Sequence, residues 1–182
     1  MRKIILYIAT SLNGKIARKD GSIDWLESIP NPDKEDYGFN TFFESVDTTI
    51  QGNTTYQQVM GWDIEFPYKG KKNYVLTTKA HPEKSPYVEF VNHHPEEFIK
   101  TLKQQNGKDI WLIGGGKVNT LLLNAGLIDE IRLFLMPVLL PDGIDLFEGS
   151  PELTHLHLFK EHKYKSGVLE LNYRVENQKR MK

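Results

Sequence analysis

The chain has 182 residues and a mass of 21.0 kDa, which suits one compact domain with its own apolar core. It contains no cysteine, so disulfide scaffolds, zinc–thiolate sites, iron–sulfur clusters and thiol catalysis are excluded for it. The formal net charge is −1, so no overall field attracts nucleic acid or an anionic membrane, and an anionic ligand needs a local site.

The first apolar run covers only residues 4–9, which is too short for the apolar region of a signal peptide. A later apolar run over residues 133–140 is broken by Pro137 and does not reach the length of a membrane span. We therefore expect a cytoplasmic protein without nucleic-acid or membrane partners. We expect one domain over residues 1–176, followed by a polar tail at 177–182.

The chain opens with a strand pattern followed by a helix pattern. Residues 4–9 are almost continuously apolar, which is typical of a central strand covered on both faces. Asn31 followed by Pro32 predicts the start of a helix, with Asn as the cap and Pro at the first helical position. The apolar residues at helical spacing in this segment are Phe39, Phe42, Phe43 and Val46.

Strand and helix patterns alternate further along the chain. A short strand at residues 48–51 stops at Gly52, and Asn53 is predicted to cap a helix over residues 54–59. The remaining predictions are strands at 73–77, 87–91, 110–113 and 128–136, helices at 95–106 and 117–125, and a C-terminal hairpin of strands 155–165 and 168–175.

This order predicts an α/β protein with an open, mostly parallel sheet, an antiparallel edge and helices on both faces.

The strongest local signal is a run of three glycines, Gly114, Gly115 and Gly116, between a buried strand and a helix. Glycines let the backbone approach a ligand closely, and a helix start offers unpaired N–H groups and a partial positive charge. Lys117 in the first helical turn is disfavoured by the helix dipole unless an anion compensates. The alternative is a tight turn with Lys117 in water. The pattern matches neither a Walker A loop nor a complete dinucleotide fingerprint.

A second strand, glycine and helix start occurs at Gly52, Asn53, Thr54 and Thr55. Two such turns in one sheet would hold the two phosphates of a dinucleotide. The alternative is that Asn53 and the threonines only cap their helix. A third polar segment after a strand comprises Thr77, Thr78 and Lys79, which suit a ribose or its phosphate, or else form an ordinary exposed strand end.

Together these segments resemble the dihydrofolate reductase-like superfamily, and in particular the C-terminal reductase domain of the bacterial riboflavin-biosynthesis deaminase-reductase. The resemblance rests on residues 11–17, 52–56, 113–118 and 137–143 and covers most of the chain. It implies a three-layer fold with a central sheet of about eight strands, bound NADPH, and hydride transfer to a small pteridine or aminopyrimidine-like substrate.

The resemblance also implies roles for single residues. The glycine triplet and the helix after it would hold the cofactor pyrophosphate from one side, and the residues after Gly52 would hold it from the other. The segment from Thr77 to Lys79 would lie near the adenosine ribose. The implied cofactor-binding residues are Gly52, Asn53, Thr54, Thr55, Thr77, Thr78, Lys79, Gly114, Gly115, Gly116, Lys117 and Val118.

Two positions depart from the family pattern. Members commonly carry Arg where this chain has Asn53, and the lost guanidinium removes a bidentate contact to the 2′-phosphate of NADPH. NADH is therefore not excluded, although Lys69, Lys71, Lys72 and Lys79 are possible substitutes. Asn13 stands where relatives usually carry Asp, and a neutral amide does not exchange protons near neutral pH.

The expected acid is Asp36, sixteen positions before Gly52, as in dihydrofolate reductases. On the predicted helix Asp36 lies beside apolar residues, where desolvation would raise its pKa and allow it to bind an aminopyrimidine edge. Glu35, nearer the centre of the apolar stripe, and Asp24 are further candidates for the acid. Alternatively Asp33, Glu35 and Asp36 only complement the helix dipole. The predicted substrate-binding residues are Asn13, Trp25 and Asp36.

Three further expectations concern metals, partners and catalysis. His155 and His157 share one strand face but lack an evident third ligand, so we expect no metal site. The apolar segment at residues 132–140 predicts a homodimer through a sheet edge. The alternative to a reductase is a nucleotide-binding or sensor protein that keeps the fold without turnover, favoured by Asn13 and Asn53.

Overall fold

The computed structural model describes residues 1–80 and 84–176, so the predicted tail at 177–182 lies outside the described residues. A single turn of 3₁₀ helix covers Asp24–Leu26. The strands are β1 (Ile4–Ser11), β2 (Lys15–Ala17), β3 (Val46–Gly52), β4 (Lys72–Leu76), β5 (Glu89–Val91), β6 (Asp109–Gly114), β7 (Glu130–Met136), β8 (Ile144–Asp145), β9 (His155–Lys163) and β10 (Leu169–Glu176). The helices are α1 (Phe39–Ser45), α2 (Asn53–Met60), α3 (Pro95–Gln104) and α4 (Gly116–Asn124).

Eight strands form one sheet in the order β5-β4-β3-β6-β1-β7-β10-β9, and β2 pairs with β8 in a small separate ladder. The first six strands of the order are parallel, and β10 is antiparallel to both β7 and β9. The predicted mostly parallel sheet with an antiparallel C-terminal hairpin is confirmed. Because β3, β4 and β6 run parallel, their carboxyl ends meet at one edge of the sheet.

Apolar cores lie on both faces of the sheet because β1 is apolar at successive positions. Ile4 and Leu6 pack with α3 and α4 on one face, and Ile5 packs with α1 and α2 on the other. Burial at successive positions is what a parallel strand covered on both faces requires. The three layers of the predicted fold are therefore present.

The predicted helix start at Asn31 is wrong. The Asn31 side chain accepts a hydrogen bond from the Glu35 amide at 2.9 Å and donates one to the Glu35 carbonyl at 2.8 Å, which closes a loop instead. Lys34 and Tyr37 have φ angles of 51° and 53°, in the left-handed region that interrupts a helix. The helix begins only at Phe39, after Gly38.

Asn53 does not cap α2. The cap position is Gly52, and no side-chain hydrogen bond caps this helix start.

The predicted self-association edge is also misplaced. The segment at 132–140 falls largely in β7, which is paired on both sides, with β1 and with β10. The outer strand at this side of the sheet is β9, and every residue of β9 is exposed. Self-association stays a prediction, but β7 is not its free edge.

Within the described ranges 1–80 and 84–176, no helix combines the length and apolar character needed to cross a bilayer. The same part of the chain brings no three His, Asp or Glu side chains together in a way that would hold a metal ion.

Candidate functional site

Two strand-to-helix turns meet at the carboxyl edge of the sheet. β3 and β6 are neighbours, with Gln51 in register with Gly114. A Cβ atom placed on Gly52 would lie 3.0 Å from Cγ2 of Val118 and 4.0 Å from the backbone N of Gly115. The starts of α2 and α4 are therefore side by side, as the two glycine motifs predicted.

The two helices leave this point toward opposite faces of the sheet. Tyr56 and Val59 of α2 belong to one core, whereas Leu122 and Leu123 of α4 belong to the other. In open α/β sheets, ligands bind in the crevice at the carboxyl ends of strands where the connections diverge in this way. The convergence of the turns thus coincides with the expected binding crevice of the fold.

The two glycines at the start of α4 have different surroundings. A Cβ on Gly115 would lie 3.4 Å from the Thr55 hydroxyl, and one on Gly116 would overlap the carbonyl oxygen of Asp145. Neither α2 nor α4 is capped by a side-chain hydrogen bond. The amides of both first turns are therefore free to bind an anion, and both helix dipoles favour it.

A continuous cleft of about 1040 Å³ runs from this point across the sheet edge. Gly114 is the one predicted cofactor residue that does not line the cleft. Its φ angle is 119°, and a cis peptide bond joins it to Gly115. The other predicted cofactor residues line one cleft together, and they are Gly52, Asn53, Thr54, Thr55, Thr77, Thr78, Lys79, Gly115, Gly116, Lys117 and Val118.

Two lysines at this end of the cleft are placed differently. The Lys117 ammonium is mostly exposed and lies 3.6 Å from a carboxylate oxygen of Glu148. The Lys79 amide donates a hydrogen bond to the Thr77 hydroxyl at 3.1 Å, which orders the segment after β4. Both lysines line the cleft.

The other end of the cleft is lined mainly by aromatic and aliphatic side chains. Trp111 packs edge-on against Tyr68, with ring centroids 5.2 Å apart. The Trp111 indole N–H donates to the Tyr7 carbonyl at 3.2 Å, and the Tyr7 hydroxyl donates to the Tyr37 carbonyl at 3.0 Å. The aromatic lining residues, called the aromatic end below, are Tyr7, Phe39, Trp62, Tyr68 and Trp111.

The environment predicted for Asp36 is wrong. Asp36 is exposed and does not line the cleft. Its carboxylate accepts hydrogen bonds from the amides of Gly38 at 2.9 Å and Asn40 at 3.1 Å, at the start of α1. These bonds lower the pKa of Asp36 below its ordinary value. The side chain supports the helix start, as the alternative interpretation held.

Neither of the other predicted substrate-binding residues reaches the cleft. Trp25 is only 2% exposed and packs in a core with Phe134, although its neighbours Ile23 and Leu26 do line the cleft. Asn13 clamps the turn after β1: its side-chain oxygen accepts from the Leu140 amide at 3.2 Å, and its side-chain nitrogen donates to the Leu140 carbonyl at 2.7 Å.

The remaining acidic candidates are also accounted for. Asp24 is paired with Arg18 on the surface, with a nitrogen–oxygen distance of 2.7 Å. Asp33 lies 2.9 Å from the Lys165 ammonium, and Glu35 is exposed. Among the described residues that line the cleft, Glu148 supplies the one carboxylate, and it lies beside Lys117 rather than at the aromatic end.

The fold is that of dihydrofolate reductase-like proteins. A dihydrofolate reductase from Enterococcus faecalis, solved with NADP(H), superposes with a TM-score of 0.65 at 14% identity, over 96% of this chain and 97% of that one. At this identity the likeness shows the fold.

Residues 46–169 match the RibD C-terminal domain family, and the chain belongs to it. The protein YwjB of Bacillus subtilis, described as uncharacterized, is 38% identical over 172 residues, which cover 94% of this chain and 97% of YwjB. A putative riboflavin biosynthesis protein from Shewanella sp. PV-4 is 30% identical and superposes with a TM-score of 0.86, over 97% of this chain and all of that one. The suspected superfamily is confirmed.

The role of Asp36 is testable by the pH dependence of stability. Because its folded pKa is lowered, the ionised carboxylate stabilises the fold above the ordinary pKa of 3.8, and this contribution is lost as the pH falls through the folded value. Asp36→Ala is therefore expected to lower the free energy of unfolding near neutral pH, and this loss should be smaller at about pH 3. Urea unfolding at both pH values measures this; an equal loss at both would contradict the assignment.

The Asn13 clamp explains why an amide is suitable at this position. Asn13→Asp would place a carboxylate oxygen against the Leu140 carbonyl and remove a donor, so we expect a loss of about 1 kcal/mol in unfolding free energy near neutral pH. Asn92→Asp is a comparison variant, since Asn92 also donates to a backbone carbonyl, that of Ala80 at 2.7 Å, on an exposed loop. A larger loss in Asn92→Asp than in Asn13→Asp would contradict the clamp.

Proposed function

We propose that the protein is an NAD(P)H-dependent reductase that reduces a small flat heterocycle, of the pteridine or aminopyrimidine-like kind handled by riboflavin-pathway and dihydrofolate reductases. One observation carries the proposal. Two uncapped helix starts converge at a glycine-lined gap, and this gap opens into a cleft with an aromatic end.

The residues at the gap fit a dinucleotide diphosphate. Gly115 leaves a space that a methyl group would fill, and the amides at the starts of α2 and α4 offer donors from two directions. Thr54 and Thr55 add hydroxyl donors at the rim. A diphosphate held here would direct the two halves of the dinucleotide along the cleft.

Bound NAD(P)H would supply a hydride to the substrate. The chain itself supplies binding, orientation and exclusion of water. Tyr7, Phe39 and Trp111 form an apolar wall against which two flat rings can stack, and their packing keeps water away from the reacting face. The rigid wall also limits the substrate to a small planar molecule.

NADPH is the proposed cofactor, with Lys79 as the partner of its 2′-phosphate. Lys79 lines the cleft beyond β4. Two of the other candidate lysines already have partners within the protein. The Lys71 ammonium donates to the carbonyls of Phe43 and Val46, each at 2.7 Å, and Lys69 pairs with a carboxylate. Asn53 offers no charge, so we expect the preference for NADPH over NADH to be modest.

The second candidate function is nucleotide binding without turnover. It is favoured by the missing carboxylate at the aromatic end, because no described acidic side chain there can supply a proton to a reduced carbon–nitrogen bond. Steady NADPH oxidation with any member of a pterin and aminopyrimidine panel would exclude this candidate.

The first test is a titration with NADPH and NADH, followed by tryptophan fluorescence. Trp62 and Trp111 line the cleft, so bound cofactor should quench their emission. We expect saturable quenching by NADPH at micromolar concentrations and weaker quenching by NADH. No quenching by either at millimolar concentration would overturn the proposal.

Two neighbouring glycines give a matched pair of variants. Gly115→Ala would place a methyl group in the proposed diphosphate gap, where it meets only the terminal hydroxyl of Thr55, which can move. We expect NADPH affinity to fall at least about tenfold with little change in melting temperature. Thermal unfolding and the fluorescence titration together measure both effects.

Gly116→Ala is the contrasting variant. Its methyl group would overlap the Asp145 backbone, so the loss should appear as destabilisation by roughly 2–4 kcal/mol. For the Gly115→Ala variant, the contradicting result is a folded protein that binds NADPH as tightly as the wild type does. The diphosphate would then bind elsewhere.

A further inference from the structure

Two Asn–Gly pairs occur in the sequence, Asn13–Gly14 and Asn106–Gly107, and a lysine follows each of them. The side-chain amide of an Asn in such a pair is prone to hydrolysis, because glycine has no Cβ atom that would keep its backbone nitrogen away from that amide. The two sites share the sequence Asn-Gly-Lys, so a difference in their reactivity has to come from the fold.

The fold holds both reacting groups of the first pair. The Asn13 side-chain oxygen accepts hydrogen bonds from the Ser11 hydroxyl at 2.8 Å and from the Leu140 amide at 3.2 Å, and its nitrogen donates to the Leu140 carbonyl at 2.7 Å. The Gly14 amide, which would be the nucleophile, donates to the Ser11 carbonyl at 2.9 Å. A reaction at Asn13 therefore requires that these four hydrogen bonds open first.

The second pair is held by none of these contacts. Asn106 and Gly107 lie in an exposed bend between α3 and β6, at the amino end of β6 and thus away from the cleft. Within residues 1–80 and 84–176, neither the Asn106 side chain nor the Gly107 amide has a hydrogen-bond partner. Solvent reaches both groups without any opening of the structure.

The fold requires the glycine of this pair, although it makes no use of the Asn106 side chain. The φ angle of Gly107 is 154°, and a Cβ atom there would lie 2.7 Å from Oδ2 of Asp47. The same carboxylate accepts a hydrogen bond from the Lys108 amide at 2.8 Å and pairs with the Arg2 guanidinium. The backbone nitrogen that can attack Asn106 is therefore unhindered because of a packing requirement at the next residue.

We propose that Asn106 is a site of spontaneous deamidation in the folded protein, and that the fold protects Asn13 from the same reaction. The Gly107 nitrogen loses its proton and bonds to the side-chain carbonyl carbon of Asn106. The side-chain carbon–nitrogen bond breaks, and the nitrogen leaves as ammonia. Water then opens the resulting cyclic imide at either carbonyl, which leaves aspartate or isoaspartate at position 106. Each event adds one negative charge, and water is the only co-reactant.

The test is incubation of the full-length protein at mildly alkaline pH and physiological temperature, followed by trypsin digestion and mass spectrometry. Trypsin separates the two sites into the peptides 4–15 and 104–108. A sample digested without incubation gives the background. We expect Asn106 to react at least about tenfold faster than Asn13, because hydrogen bonds that contribute about 1 kcal/mol each suppress the open state of Asn13 by that factor or more.

Two controls separate the structure from the sequence. In guanidinium chloride the protection of Asn13 is lost, so the two Asn-Gly-Lys sites should react at similar rates. Asn106→Gln keeps a side-chain amide but forms the cyclic imide far less readily. Since the Asn106 side chain makes no hydrogen bond within the described ranges, this variant should fold normally. It should also lack the acidic species that the wild-type protein accumulates on ion-exchange chromatography.

The proposal fails if peptide 104–108 gains no mass during an incubation in which the denatured protein reacts. It also fails if the two sites react equally fast in the folded protein, or if Asn106→Gln accumulates the acidic species as the wild type does. A difference between the sites that persists unchanged in guanidinium chloride would assign it to the sequence and contradict the protection of Asn13. The experiment does not involve a cofactor, so its outcome is independent of the proposed function.

Discussion

The structure depends on the close approach of two strand-to-helix turns, one after β3 and one after β6. Gly52 and Val118 are so near that a side chain at residue 52 would touch Cγ2 of Val118 at 3.0 Å. This approach is possible because the two strands are parallel neighbours and their helices leave toward opposite faces. Two helix starts are thereby directed at one point, where a bound anion would compensate both dipoles.

The chemistry of the cleft is divided between its two ends. The end between the helix starts is polar, with backbone amides, threonine hydroxyls and lysines, whereas the other end is built from aromatic rings. A dinucleotide with a charged diphosphate and a flat reactive ring has the same division. Under the proposed function, the polar end would anchor the cofactor, the aromatic end would stack its flat ring, and the cofactor would supply the hydride.

Local patterns predicted the fold and the meeting of the two glycine turns at one edge of the sheet. Apolar runs, helical spacing and glycines after strands are properties of short segments, and the structure keeps them at β3, α2, β6 and α4. The aromatic end of the cleft could not be predicted in this way. Its rings come from β1, α1, β6 and the segment between α2 and β4, and only tertiary packing brings them together.

The misplacement of Asp36 has a physical cause. Asp36 was assigned to the site on the assumption of a regular helix from Asn31. Side-chain hydrogen bonds from Asn31 and left-handed backbone at Lys34 and Tyr37 replaced that helix with a compact turn. Local side-chain hydrogen bonds of this kind compete with helix formation, so the spacing of apolar residues alone does not decide between the two.

The most direct measurement of the central claim is the backbone amide spectrum of the protein during titration with NADP⁺. If one diphosphate bridges the two turns, the amides of residues 53–55 and 115–117 should show large chemical-shift changes that saturate together, at one dissociation constant. Changes confined to one turn, or two different dissociation constants, would contradict the account.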